Sequence, residues 1–136
     1  MLTRLSLKDS ASVSATGTGS TFAVPFSCDY AVFELDITAA ATGGTDTLDV
    51  FVQCQVKSGD WVDIVHFTQA VGNGGTKRYF AKLASCLAET MFENATALSA
   101  GSVRQLMSDA YRVRWTIGNS GVFTFSVTMV AVTDGN

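Results

Sequence analysis

YRVRWTIGNSGVFTFSVTMVAV, residues 111–132, decides the fold class. Its apolar residues recur at every second position on both sides of a Gly-rich centre. That is the period of a strand with one face buried. Taken as a hairpin around a loop at 118–122, Ile117 pairs with Phe123, Trp115 with Phe125, Val113 with Val127 and Tyr111 with Met129. Every inward residue then meets an inward residue, and a slip of one position would mismatch both faces throughout. On the other face Thr116 meets Thr124, Arg114 meets Ser126 and Arg112 meets Thr128. At ~3.4 Å per residue, the strand from Phe123 to Val132 would be about 30 Å long, the height of a small sandwich.

The rest of the chain has the same grammar. Gly clusters at 43–44, 72–75 and 118–121 separate short apolar runs and mark turns. Residues 30–37, YAVFELDI, put Ala31, Phe33, Leu35 and Ile37 inward, with Glu34 and Asp36 outward. Residues 47–56, TLDVFVQCQV, put Leu48, Val50, Val52, Cys54 and Val56 inward. Further strands are expected at 2–7, 20–26, 60–69 and 77–83, the second at a sheet edge because of Pro25. Strands 30–37 and 47–56 are not expected to pair. In matched register Asp36 would face Asp49, and like charges directly opposite repel. The connection between them should cross to a second sheet. Leu83, Leu87 and Met91 have helical spacing, so at most one or two short helices are expected within 83–107. The expected fold is an all-β antiparallel sandwich in a single domain, residues 1–136. Residues 1–20 hold few core residues and suggest an extended N-terminal arm. Such an arm could be ordered by adding a strand to a neighbour's sheet edge.

The chain has 136 residues, 47% of them hydrophobic and only 15% charged, with a formal net charge of −3. No basic run occurs, so nucleic acid is not an expected partner. No stretch approaches the ~20 apolar residues of a membrane span. The N-terminus lacks the apolar core of a signal peptide, so the expected place of synthesis is a cytosol. Cys28, Cys54 and Cys86 lack metal-like spacing and are expected to be free, buried thiols.

Candidate chemistry is sparse. His66 is the single histidine, expected on the same face as Val62 and Ile64. The Asp46/Asp49 and Asp60/Asp63 pairs have the composition of a calcium or glycosidase site. Turn and strand-start preference is the simpler account of them. Trp61 follows a turn and is the candidate for stacking on a sugar ring. Trp115 is expected in the core. Arg112 and Arg114 lie on an outward face, either solvated or at an intersubunit contact. No nucleotide-binding or nucleophile motif is present, and neither catalysis nor a cofactor is expected.

The 111–132 stretch resembles a pattern recurrent in small structural proteins of tailed bacteriophages: an Arg-x-x-Trp-Thr strand, a Gly-rich turn and a Phe-Thr-Phe-Ser-Val strand. FELDITAAATGGTDTLDVFVQ and WVDIVHFTQA resemble earlier strands of the same group. The resemblance implies a jelly-roll-like virion component that decorates or cements the capsid by binding. Its partners would be the major capsid protein and further copies of itself, with Arg112, Arg114, Leu2 and Leu5 as interface candidates. The alternatives are a carbohydrate-binding jelly-roll module using Trp61, and a head–tail or tail component involved in host attachment.

Overall fold

A computed structural model describes residues 2–24, 30–84, 92–94 and 96–132. Eleven strands are numbered in chain order: β1 (Leu2–Val13), β2 (Gly17–Thr18), β3 (Phe22–Ala23), β4 (Tyr30–Ala39), β5 (Thr47–Lys57), β6 (Asp60–His66), β7 (Ala70–Val71), β8 (Lys77–Ala84), β9 (Ser102–Val103), β10 (Ala110–Gly118) and β11 (Phe123–Val132). They form two antiparallel sheets. Sheet A runs β1-β11-β4-β8, and sheet B runs β2-β10-β5-β6-β9. β3 lies along β10 in line with β2, and β7 lies beside β5.

If β2 and β3 count as one interrupted strand and the short β7 and β9 are set aside, eight strands remain. They visit the sheets in the order A, B, A, B, B, A, B, A. This is the double Greek-key winding of a jelly roll. The expected all-β sandwich is therefore present, with its jelly-roll character.

The 111–132 stretch folds as two strands, but not as a hairpin. β10 pairs with β5 in sheet B, Trp115 opposite Val50, while β11 lies between β1 and β4 in sheet A. Residues 119–122 form an arch between the layers. Trp115 does meet Phe125, edge to face with ring centroids 5.8 Å apart, but across the core and not along a ladder. The pairings of Arg114 with Ser126 and Arg112 with Thr128 are overturned outright, because those residues point away from opposite faces of the sandwich. Alternation fixes which face a residue takes. It does not say whether the residue opposite is a ladder neighbour or one in the other layer.

The crossing between strands 30–39 and 47–57 is as expected, and Asp36 and Asp49 end in different sheets. Ala31, Phe33, Leu35 and Ile37 are buried, as are Leu48, Val50, Val52 and Cys54. Val56, expected inward, is exposed because β5 runs past the core into the turn at Ser58–Gly59. Burial pushes the Cys54 thiol up to about 12, which leaves it inert at neutral pH. Pro25, Cys28, Cys86 and the possible helix around Leu87 and Met91 lie outside the described residues. Among the described residues of 83–107 there is no helix: β8 extends to Ala84 and β9 is a strand.

The N-terminal segment is built into the chain's own sheets. β1 pairs with the chain's own β11 from Leu2↔Val132 to Val13↔Phe123, and residues 17–23 then pair with β10. The segment thus edges both sheets on one side of the sandwich. Its deficit of core residues is explained by two register shifts, on either side of Lys8. They let Leu7 enter the core and turn Lys8 inward, where Nζ lies 4.1 Å from the Phe125 ring centre and 3.0 Å from the Phe125 carbonyl oxygen. Residues 15–19 close over Trp115, whose indole N–H donates to the Ala15 carbonyl at 2.9 Å.

At one end of the sandwich the Gly clusters pack against one another. The Gly72 N–H donates to Asp46 O at 2.7 Å, and the Asn73 N–H to Ala41 O at 2.6 Å. A Cβ on Gly72 would overlap the Gly43 carbonyl. One on Gly121 would fall 2.6 Å from Asp46 Cβ and 2.7 Å from Ala41 Cβ. Gly72 meets backbone and Gly121 meets two neighbouring Cβ atoms, so neither position has room for a side chain.

Candidate functional site

The densest array of polar and aromatic groups is the outer face of sheet B. Alternation along β10 turns Arg112, Arg114 and Thr116 outward. The ladder sets them against Gln53, Phe51 and Asp49 of β5. β6 adds Trp61, Asp63 and His66 opposite Gln55, Gln53 and Phe51.

His66 reaches this face through a β-bulge. Val65 pairs with Val52 and Asp63 with Gln53, leaving Ile64 as the extra residue. A bulge inverts the alternation beyond it. Ile64 and Val65 are therefore both buried, and His66 lies on the opposite face from Val62, not on the same one as expected.

The face is stitched together. Arg114 binds Asp63 through two bonds, Nε to Oδ1 at 2.9 Å and Nη2 to Oδ2 at 2.7 Å. Gln53 donates to the same Oδ1 at 2.9 Å and accepts from Arg112 Nε at 2.7 Å. The Arg114 guanidinium lies 3.6 Å from the Phe51 ring centre, and the His66 ring stacks on Phe51 at 3.9 Å. Arg112 covers a face of Trp61 at 4.2 Å. His66 Nε2 lies 2.8 Å from Asp49 Oδ1, and Nδ1 lies 2.8 Å from the Leu98 carbonyl. Gln69 donates to the second Asp49 oxygen at 2.8 Å. The buried Arg104 completes the array, donating to the Thr96 carbonyl with its guanidinium 4.6 Å from the Phe92 ring centre. Arg104 and His66 thus fasten the 96–98 segment to the sheet.

Burial alone would push the Asp63 carboxyl up. The bonds and charge of Arg114, the Gln53 amide and the charge of Arg104 outweigh it and hold Asp63 below the usual carboxylate range. A depressed value in the folded chain means that this stabilisation is complete above the ordinary value near ~4, and is lost as pH falls through the lower folded value. Asp63→Asn is expected to cost about 2 kcal/mol at pH 7, since it leaves Arg114 half-paired. The gap between variant and parent should close in acid. Urea melts at pH 7 and at about pH 3 read both; a gap that stays constant across that range would exclude the ion pair as its source.

The other carboxylates are dispersed. Asp60 pairs with Lys57 in the β5–β6 turn, and Asp46 lies among the packed glycines. Among the described residues no group of three His, Cys, Asp or Glu is placed to hold a metal. His66 and Asp49 resemble the base and orienting pair of a catalytic triad. Both ring nitrogens are already engaged, however, and among the described residues no hydroxyl or thiol is bonded to the ring. The arrangement can clasp a loop; it lacks the free nitrogen of a general base.

Of the candidates read from the sequence, Arg112, Arg114 and Trp61 come together here, alongside His66. Leu2 is exposed at the far end of sheet A, and Leu5 is half-buried against the core. Pattern reading missed Phe51, Gln53 and Arg104. Phe51 carried a usable signal, as an aromatic residue at an outward position of a strand that is apolar on both sides.

No family model and no characterised protein matches the chain.

Proposed function

We propose that the chain is a non-catalytic structural protein of a tailed-bacteriophage virion. It decorates or stabilises the capsid through contacts with the major capsid protein and among its own copies. The observation that carries this reading is the contrast between the two outer faces. On sheet B, charged and aromatic groups are turned on one another. On sheet A, Arg4, Glu34, Asp36, Arg78 and Lys82 share the outer face with Ser126 and Thr128, but exposed apolar groups remain there: Leu2 and Tyr30, at the end where Val130 and Val32 lie, are 56% and 44% exposed, and Phe80 is 61% exposed. Exposed apolar side chains left without partners in this way suit burial against another protein. Jelly rolls serve in viral capsids and also in lectins, so the fold alone does not choose between shell and sugar. Arg112 occupies a face of Trp61 that a sugar would need, which weighs against the carbohydrate reading.

The test is co-sedimentation with capsid particles purified from the phage that carries this chain. The expected result is stoichiometric binding that Leu2→Asp with Tyr30→Asp abolishes while leaving the circular dichroism spectrum unchanged. A chain that stays monomeric, ignores the particles and binds a glycan array through Trp61 would overturn the reading.

A further inference from the structure

Four strand edges close the two sheets, and three of them are unsuited to receiving another chain. β1 is broken by two register shifts and an inward lysine. β2 with β3 is interrupted, and the two-residue β9 leaves on β6 only a short stretch that ends in a bulge. β8 differs. It pairs with β4 without a shift from Lys77↔Ile37 to Ala84↔Tyr30, and no strand among the described residues covers its other side. A long, regular edge of this kind is a template for strand addition.

The direction of its free groups can be read from Ala84, whose N–H donates away from β4, to Gln105 Oε1 at 2.9 Å. Alternation then turns the N–H and C=O groups of Lys82, Phe80 and Arg78 outward along the same edge. Gln105 supplies the bond that a partner's carbonyl would make.

The side chains state what the partner is. Lys77, Arg78 and Lys82 are the charged residues of β8, and it holds no carboxylate, although the chain as a whole is acidic. Charge opposes a second copy of β8. In the antiparallel register centred on Phe80, Arg78 of each copy would face Lys82 of the other. β4 shows the complementary chemistry on the paired side, where Glu34 binds Arg78 at 2.7 Å. Beside the edge, a cleft of about 260 Å³ opens between Tyr79 and Ala81 of β8 and Phe67 and Val103 across the gap, with room for small inward side chains.

We infer that β8 accepts an extended segment of a partner protein as a fifth strand of sheet A. The segment carries carboxylates at the two outward positions facing Lys82 and Arg78, and an apolar residue between them facing Phe80. This inference does not depend on a place in a virion, and it is tested on the soluble chain alone.

The probe is the acetylated, amidated peptide TETVTET, titrated into isotope-labelled protein. Amide shifts are expected at residues 78–84 and 101–103, with half-saturation at about 1 mM. Lys82→Glu, a change at an exposed position, should weaken binding about tenfold, and the peptide TKTVTET, whose lysine faces position 82 in the antiparallel register, should restore it. A peptide N-methylated at alternate residues should not bind, because strand addition rests on main-chain bonds. Equal binding of TETVTET and TKTVTET to the parent chain, retained binding of the N-methylated peptide, or no shift at about 5 mM would each overturn the proposal.

Discussion

Phe125→Ala is expected to lower the stability of the fold by about 4 kcal/mol, the cost of emptying a site at the centre of the core. Phe125 has no exposed surface. Its ladder neighbours are Ile37 and Ala11, its partner across the core is Trp115, and Lys8 lies over its face. Truncation opens a cavity where the two layers meet and strips the inward ammonium of the nearer of its two aromatic partners. In urea the midpoint should fall with the slope unchanged, and the melting temperature should drop by about 15 °C. Phe125→Leu retains most of the volume and should recover more than half of the loss. A Phe125→Ala midpoint within experimental error of the parent would mean that the layers do not meet at this ring.

Gly72→Ala should cost about 3 kcal/mol for a different reason. The added methyl displaces nothing flexible: it meets the Gly43 carbonyl, so the 41–46 loop must move. The bonds from Gly72 to Asp46 and from Asn73 to Ala41 go with it. Gly59→Ala is the informative contrast. Gly59 has φ +86° and open space around it, so its cost is conformational alone, about 1 kcal/mol. Thermal melts should therefore rank Gly72→Ala below Gly59→Ala, and both below the parent. The reverse order would mean that backbone conformation, and not close packing, selects glycine at position 72.

The strands were legible because each buries one face. The separation of strands 30–39 and 47–57 was legible because Asp36 and Asp49 could not be neighbours. The false hairpin at 111–132 came from the same pattern. Trp115 and Phe125 belong opposite each other in a ladder or across a core, and period-2 alternation is identical in both cases. His66 was misplaced by one inserted residue, Ile64, which carries no mark in the sequence because Ile64 and Val65 are equally apolar. The polar face of sheet B was half legible. Arg112 and Arg114 were identified as outward, but the groups that engage them come from β5 and β6, and only the register brings those together.

The arch has a consequence for how the molecule is made. β11 is the last strand in chain order, yet it lies inside sheet A, and the first strand, β1, pairs with it alone in that sheet. Until residues 123–132 emerge from the ribosome, β1 has no ladder and β4 lacks a neighbour on one side. Leu7, Phe33 and Leu35 then have no complete layer to join. Sheet A cannot be completed in advance of residues 123–132; its assembly waits for them and then closes contacts more than a hundred residues apart. Such topologies fold slowly and expose strand edges while they wait. The inward lysine and broken register of β1 thus guard the chain in the interval before β11 arrives, as well as afterwards.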